Sequence, residues 1–296
     1  MINIVNFLSI AMIGFIGSDR INLLTSNFDS FILTPFLFLS ILFIISSVLL
    51  RQNKFNFNWI FFDDLSIKVL SFYLITAIIS IFFSIDIYLS LKRFMLLLYF
   101  IFIFLMLFSF YNKKELINVV LRGSILGIII IIVFNILLLF IWFYSLDLLS
   151  LYINLESDSI AYFAPRLGGY SMDVNRGSVV LLFFVYYIFH FMKSSNLKTL
   201  LIFLSIIFIF LSFSRTVYFM LFSIFIYKIF FSNKTQRIIL IKYFLSSSIF
   251  LTCLLFYLDS IDLINMNLLV KERLDIFTVT RFTSSGIHLK LIQDGL

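Results

Sequence analysis

Residues 124–144 read SILGIIIIIVFNILLLFIWFY, an uncharged run inside the longest apolar block of the chain. A helix needs roughly 20 such residues to cross the hydrocarbon core of a bilayer. The whole sequence has the same character, because 62% of its 296 residues are apolar, 12% are charged and the mean hydropathy is +1.13. An average soluble domain carries roughly 25% charged residues, and disordered chains combine low hydrophobicity with high charge. The composition therefore excludes both classes and predicts a polytopic helical membrane protein.

We predict an all-α fold, a polytopic transmembrane helical bundle with about nine spans. The predicted spans are 1–17, 31–50, 66–84, 91–111, 116–144, 178–192, 197–213, 215–231 and 239–258. The first block is short, but no basic residue precedes it and no small-residue cleavage site follows it. We therefore interpret this block as a retained helix and not as a signal peptide. Residues 1–258 then form one transmembrane helical domain.

Basic residues predict the orientation, because Lys and Arg are enriched in cytoplasmic loops. The loops on one side of the predicted membrane carry twelve Lys and Arg residues, against six in the connecting loops of the other side. The first side, together with the N-terminus, is therefore predicted to be cytoplasmic. Anionic lipid headgroups at this face account for the net charge of +7, so the lipid bilayer is the predicted partner and no nucleic acid is expected.

The longest complete outer loop, 145–177, is predicted to be re-entrant and holds the first candidate site. It ends in APRLGGYSMDVNRG, which combines three glycines with Arg166, Asp173, Asn175 and Arg176. A glycine such as Gly169 lets the backbone turn tightly and approach a ligand closely. Two interpretations stay open, a ligand site or a turn whose charges pair with each other and with lipid headgroups. A cysteine at position 170 is expected to react from the outer side.

A second candidate site is the short outer turn SFSRT, residues 212–216. Its Arg215 lies between two apolar blocks, and an arginine at membrane depth costs roughly 2.5–3.5 kcal/mol on an insertion scale. Snorkelling of the side chain to the headgroups is one explanation. Anion binding is the other, because a guanidinium donates two parallel hydrogen bonds to a phosphate. A lipid phosphate is the anion that fits this position.

The fifth block also carries two packing features. Gly123 and Gly127 form a Gly-x-x-x-Gly pair, which predicts the close approach of a neighbouring helix. Asn135 is predicted to hydrogen-bond across helices. The single Cys253 excludes a disulfide framework, and His, Cys and acidic residues nowhere gather at the spacing of a metal site. Neither a metal nor another cofactor is therefore predicted.

Four short motifs resemble those of the O-antigen ligase and O-antigen polymerase superfamily of bacterial envelope enzymes. The stretch FSIDIYLSLKR, which ends at Arg93, resembles the family's Ser-x-Asp-x-Tyr-x-Ser turn between early spans. Residues 166–175 resemble an Arg-x-x-Gly…Asn block that precedes a helix, and 212–216 resemble the Ser-Arg turn. The stretch RFTSSG, which begins at Arg281, resembles the start of the family's large periplasmic loop.

This resemblance implies a bacterial inner-membrane enzyme that polymerises or ligates sugar chains on the periplasmic face. The donor would be an oligosaccharide on undecaprenyl diphosphate, and the acceptor a sugar hydroxyl of lipid A–core or of another repeat unit. Arg166 and Arg215 would stabilise the departing diphosphate, with Asp173 or a histidine of the family's periplasmic loop as general base. The residues implied to bind substrate are Gly169, Asn175, Arg176, Arg93 and Arg281. Residues 259–296 are interpreted as the incomplete start of that periplasmic loop.

Two further interpretations stay open. A transporter or flippase of lipid-linked oligosaccharide is also polytopic, but such proteins usually show internal repeats, broken helices and ionisable groups near the membrane midplane. The sequence contains no convincing repeat, and the centres of its predicted spans are almost free of charge. The third interpretation is an inactive fragment of the enzyme, because the chain ends inside the stretch that resembles the periplasmic loop.

Overall fold

The computed structural model folds most of the chain into helices. It describes residues 2–19, 33–50, 64–84, 86–144, 160–161, 164–165, 167–171, 173–212, 214–231 and 234–260. These ranges contain nine helices: α1 (Ile2–Gly14), α2 (Pro35–Leu50), α3 (Asp64–Phe82), α4 (Ile87–Phe110), α5 (Lys113–Tyr144), α6 (Val174–Phe191), α7 (Asn196–Leu211), α8 (Arg215–Phe231) and α9 (Lys234–Ser260). Each helix overlaps one of the predicted apolar blocks, so the helical class is confirmed.

The described β structure is limited to one short pair of strands. Strand β1 (Ile160–Ala161) pairs antiparallel with β2 (Ala164–Pro165), and Ile160 lies opposite Pro165. The two strands lie inside the predicted outer loop, so the prediction of an all-α chain needs only this small correction. Such a pair contributes little stability by itself, because a two-stranded ribbon is marginal in water.

Three of the described helices combine the length and the composition needed to cross a membrane. The qualifying segments are Ser90–Phe110, Lys113–Phe140 and Val174–Phe191. The other six helices contain shorter apolar segments of 10–17 residues. A 16-residue helix spans about 24 Å, which is less than the roughly 30 Å of the hydrocarbon core. The structure therefore indicates a membrane protein, because three of its described helices are long and apolar enough to cross a bilayer.

Large apolar side chains are exposed along whole helices. On α3, Phe72 is 70% exposed and Phe82 is 80% exposed. On α8, Phe219 is 74% exposed and Phe230 is 70% exposed. Soluble monomers rarely expose apolar patches of more than a few hundred Å². Exposure of this kind is typical of membrane proteins, in which lipid tails are as apolar as the side chains that they contact.

The chain forms two compact units. The first comprises Met1–Ile130 and Phe183–Ser194, and the second comprises Ile131–Leu182 and Ser195–Leu296. In the first unit α2 packs against α1 and α4, and α3 packs against α4. In the second unit α7, α8 and α9 pack against one another. Aromatic rings fill these contacts in the second unit, and Phe225 stacks on Phe244 with ring centroids 4.7 Å apart.

Two hydroxyl pairs connect helices of the first unit. The hydroxyls of Tyr111 and Ser9 are 2.9 Å apart, and those of Tyr99 and Ser40 are 2.6 Å apart. Each serine donates its own proton to a backbone carbonyl in its helix, so the tyrosine is the donor in both pairs. Interhelical hydrogen bonds of this kind stabilise helix packing in membranes.

The Gly-x-x-x-Gly pair of α5 makes the close contacts that the sequence predicts. A Cβ at Gly123 would lie 2.7 Å from the Cβ of Ile13 on α1, and a Cβ at Gly127 would overlap the ring of Phe184 on α6. Any larger residue at either position would therefore push a neighbouring side chain away. The prediction of close helix approach is confirmed at both glycines.

The structure differs from two predictions about the outer loop. Helix α6 begins at Val174 and not at residue 178, so residues 174–177 form its first turn. Tyr170 is fully buried, which contradicts the expected accessibility of position 170. Of the predicted periplasmic segment, only residues 259–260 at the end of α9 are described.

Candidate functional site

The first candidate site is built on the N-terminus of α6. The carboxylate of Asp173 accepts a hydrogen bond of 2.9 Å from the backbone N–H of Asn175. Aspartate at this position satisfies one of the amide groups that the start of a helix leaves unpaired. The side chains of Asp173, Asn175 and Arg176 are exposed. The first turn of α6 therefore presents a carboxylate, an amide and a guanidinium on a fixed backbone.

Two glycines let the preceding loop pack directly on this turn. A Cβ at Gly177 would overlap the carbonyl oxygen of Gly168. A Cβ at Gly168 would lie 2.8 Å from the Cα of Val174, which is shorter than any normal contact. The backbone N–H of Ser171 donates to the carbonyl of Gly168 at 3.3 Å and closes the turn. Backbone therefore packs against backbone here, and only glycine permits it.

Gly169 anchors the same loop to α5. Its φ of 63° lies in the left-handed region that glycine adopts without strain. Its backbone N–H donates a hydrogen bond of 2.7 Å to Oδ1 of Asn135, which is buried. Asn135 precedes the end of α5 at Tyr144 by nine residues, or about 13 Å along the helix axis. The described part of the loop therefore folds back along α5.

Asn135 also carries a buried side-chain amide nitrogen, Nδ2. Its Nδ2 has no hydrogen-bond partner among the residues that the structure describes. The described bond of Asn135 goes to the loop backbone, whereas the sequence prediction assigned it a partner on another helix.

Tyr170, the residue after Gly169, packs the loop against α5. Its ring meets Phe134 edge-on, with centroids 6.2 Å apart. Burial raises the pKa of the Tyr170 phenol well above its ordinary value, because the phenolate would lose its hydration. The phenol therefore stays neutral and acts as a packing group.

The second candidate site, the turn between α7 and α8, is joined to the first. Ser214 Oγ donates a hydrogen bond of 2.7 Å to Oδ1 of Asn175, 39 residues away in sequence. The backbone N–H of Leu167 also approaches the carbonyl of Leu211, at 3.5 Å. Inside the turn, Ser212 Oγ accepts a hydrogen bond of 3.3 Å from the backbone N–H of Ser214. The two stretches singled out in the sequence are therefore neighbours in space.

The structure brings together some of the predicted site residues. Gly169, Asp173, Asn175 and Arg176 lie in the arrangement just described. Arg215 is the first residue of α8 and directly follows Ser214, and only its backbone is described. Arg166 and Arg281 lie outside the described residues. Arg93 is exposed on α4 and belongs to the first unit.

The early motif forms a closed turn between α3 and α4. Ser90 Oγ donates to Ser84 Oγ at 2.6 Å, and Ser84 Oγ donates to the carbonyl of Asp86 at 2.9 Å. The backbone N–H of Ser90 donates to the same carbonyl at 3.1 Å. The serines of this motif therefore fix the turn, and they leave Lys92 and Arg93 exposed on α4.

We call residues 167–177 together with residues 212–216 the joined site. The chemistry available there is hydrogen bonding and fixed charge. Over the described ranges, no group of three or more His, Cys, Asp and Glu side chains is placed to hold a metal ion. The groups present are one carboxylate, side-chain amides, serine hydroxyls and the guanidinium of Arg176. Such groups can bind an anion or a sugar hydroxyl.

Sequence reasoning missed the roles of Ser214 and Tyr170. Ser214 lies inside a quoted motif, but a serine beside an arginine carries no signal for a partner 39 residues away. Tyr170 lies between glycine and serine, a context that is typical of an exposed turn. The prediction began this helical block at residue 178, although Asp173, a favourable N-cap residue, marks the start of α6 at Val174.

Comparisons with known proteins return no relative: no family model, no curated protein and no solved structure matches the chain. The fold and the site define it as a helical membrane protein in which the first turn of α6 is hydrogen-bonded to the turn between α7 and α8.

Proposed function

We propose that the chain is an integral membrane glycosyltransferase of the O-antigen ligase and polymerase type, which acts on oligosaccharide carried by undecaprenyl diphosphate. The observation that carries this proposal is the hydrogen bond from Ser214 to Asn175. It joins two stretches whose sequences separately resemble motifs of that superfamily, and one shared site is what a common activity requires. The closed turn from Ser84 to Ser90 gives a third motif a defined backbone.

The proposal includes nine spans in a bacterial inner membrane, with a cytoplasmic N-terminus. The exposed apolar faces of the shorter helices support their placement in lipid. The excess of basic residues on the opposite side supports the orientation. The joined site then belongs to the periplasmic side, where α5 ends, α6 begins and α7 turns into α8.

Cysteine labelling tests this topology. In a Cys253→Ser background, Asp173→Cys is expected to react with an impermeant maleimide in intact cells. Lys193→Cys, in the connection between α6 and α7, is expected to react only after the membrane is opened. Both wild-type side chains are exposed, so burial does not account for a difference in labelling. The reverse pattern would overturn the orientation.

The proposed reaction is the transfer of a glycosyl group to a hydroxyl. The acceptor oxygen attacks the anomeric carbon of the donor, and the bond between that carbon and the diphosphate oxygen breaks. The hydroxyl proton passes to a general base, and undecaprenyl diphosphate leaves. The energy comes from the lipid diphosphate, so the proposal needs no nucleotide cofactor.

Negative charge develops on the departing diphosphate, and fixed guanidinium groups stabilise such charge. We assign this role to Arg166 and Arg215, because each flanks one of the two joined stretches. Arg166 directly precedes Leu167, and Arg215 directly follows Ser214. Gly169, Asn175 and Arg176 are assigned to substrate binding on the same grounds. Arg93 and Arg281 are assigned to substrate binding from the family motifs alone.

Asp173 is the general base in this proposal, and the structure gives it a second role as a helix cap. Asp173→Asn separates the two roles, because Asn caps a helix as well as Asp but cannot accept the proton. We expect sugar transfer to fall roughly 10²–10⁴-fold, with an unchanged thermal midpoint in detergent. A fully active Asp173→Asn variant would leave Asp173 with capping alone.

The surface polysaccharide of a deletion strain tests the function itself. Single-repeat material without a ladder on a gel would identify a polymerase. Unmodified lipid A–core with accumulating lipid-linked polymer would identify a ligase. Complementation with residues 1–296 then measures the activity of this chain. A normal polysaccharide pattern in the deletion strain would contradict both forms of the proposal.

A further inference from the structure

A cleft of about 790 Å³ opens between α7 and α9 in the second unit. Sites for small ligands have volumes of about 300–1,000 Å³. The cleft lies on the N-terminal half of α7 and the middle of α9, whereas the joined site described above lies at the C-terminal end of α7. It is therefore a separate feature, and an inference from it does not rest on the proposed function.

Two contacts between α7 and α9 mark positions along the cleft. Thr199 Oγ1 lies 3.0 Å from the hydroxyl of Tyr243, and the rings of Phe203 and Phe250 are 5.7 Å apart. The cleft therefore has one end near Thr199 and Tyr243.

Polar groups lie at that end of the cleft. Asn196, the first residue of α7, and Lys242 both line it, and both are exposed. Thr199 donates its own proton to the carbonyl of Ser195 at 3.3 Å, so Tyr243 is the donor in the hydroxyl pair. These two hydroxyls are thereby occupied with each other. The Lys242 ammonium and the Asn196 amide remain as donors, beside the positive end of the α7 dipole.

Apolar groups line the other end of the cleft. Phe203 on α7 and Ile249 on α9 both lie further along their helices than the hydroxyl pair. The cleft is therefore cationic and polar at one end and apolar at the other. This gradient matches an amphiphile with an anionic head and a hydrocarbon body.

We propose that this cleft binds one anionic phospholipid, with its phosphate at Lys242 and one acyl chain along Phe203 and Ile249. Lipid is the occupant that fits, because the cleft lies on helices whose other faces expose large apolar side chains. The charge selects the lipid class, because Lys and Arg near a membrane surface attract anionic headgroups.

Native mass spectrometry of the purified full chain tests this site, with phosphatidylglycerol and phosphatidylcholine as the two probes. The wild-type protein is expected to retain one phosphatidylglycerol and to lose phosphatidylcholine at the same detergent concentration. Lys242→Gln is expected to weaken the retention of phosphatidylglycerol about tenfold, as for the loss of one charged hydrogen bond. Lys228→Gln is the matched control, because this lysine lies near the end of α8 and does not line the cleft.

A second variant tests the cleft independently of charge. Ser246→Trp fills the space from an exposed position, so it is expected to block the lipid without lowering the thermal midpoint in detergent. Equal retention of the two lipids by the wild-type protein would overturn the proposal. The same conclusion follows if Lys242→Gln behaves like Lys228→Gln, or if a second copy of the chain protects the cleft from lipid.

Discussion

Arg166→Ala and Arg215→Ala are each expected to abolish polysaccharide assembly, while the amount of protein in the membrane stays near normal. Removal of one donor that stabilises developing negative charge costs about 10²–10³-fold in rate. Arg215 is the first residue of α8 and follows Ser214, whose hydroxyl donates to Asn175 in the first turn of α6. The loss of its guanidinium therefore removes charge from the joined site and leaves the connecting hydrogen bond intact. Gel analysis of surface polysaccharide and an immunoblot of membranes measure the two quantities.

Two further variants make this result specific. Arg166→Lys and Arg215→Lys are also expected to be poorly active, because an ammonium is a point charge that does not reproduce the two-donor geometry of guanidinium. Arg122→Ala is the matched control. Arg122 is exposed in the first third of α5, whereas the loop contacts this helix in its last third, at Asn135. Full activity of either arginine-to-alanine variant would remove that residue from the site.

Gly177→Ala is expected to displace the loop from α6 and to lower activity at least about tenfold. The new methyl group would overlap the carbonyl oxygen of Gly168, and overpacking of this kind costs about 1–3 kcal/mol. The cap at Asp173 is untouched, so α6 itself should still form. The displacement has its own readout, because position 170 is fully buried while the loop is in place. In a Cys253→Ser background, Tyr170→Cys should become reactive to maleimide when Gly177→Ala is added.

The neighbouring position supplies the control for this experiment. Ser178→Ala removes a hydroxyl that donates 2.8 Å to the carbonyl of Val174 within α6. This substitution leaves the loop glycines unchanged. Activity should therefore persist, and so should the protection of position 170 from maleimide. A Gly177→Ala protein with normal activity and a protected position 170 would contradict the close packing of the loop on α6.

The helices were predictable because their signal is local. A block such as residues 116–144 contains enough apolar residues for a membrane span, and composition alone locates it. The glycine pair of α5 was equally readable, since small residues four apart favour close helix contact wherever the partner lies. The exact start of α6 was missed, although the capping aspartate at 173 marks it.

The joined site was only partly predictable, because its decisive contacts are long-range. The sequence indicated that 164–177 and 212–216 are unusual, but nothing in either stretch encodes the contact between Ser214 and Asn175. The burial of Tyr170 has the same origin. This burial depends on the ring contact between Tyr170 and Phe134 and on the hydrogen bond from Gly169 to Asn135. Phe134 and Asn135 lie on α5, more than thirty residues earlier in the sequence.

The central claim is that the first turn of α6, with the loop before it, forms one site with the turn between α7 and α8. The most direct measurement is oxidative crosslinking of a double variant, Asn175→Cys with Ser214→Cys, in a Cys253→Ser background. Because the two native side chains are hydrogen-bonded at 2.7 Å, copper phenanthroline or the shortest bifunctional thiol reagent is expected to join them within one chain. A disulfide or crosslink that forms in membranes is the predicted result. Lys228→Cys with Ser214→Cys is the unreactive control pair, because these positions lie at the two ends of α8, about 20 Å apart along its axis. Free thiols at both positions after oxidation, in a correctly inserted protein, would contradict the account.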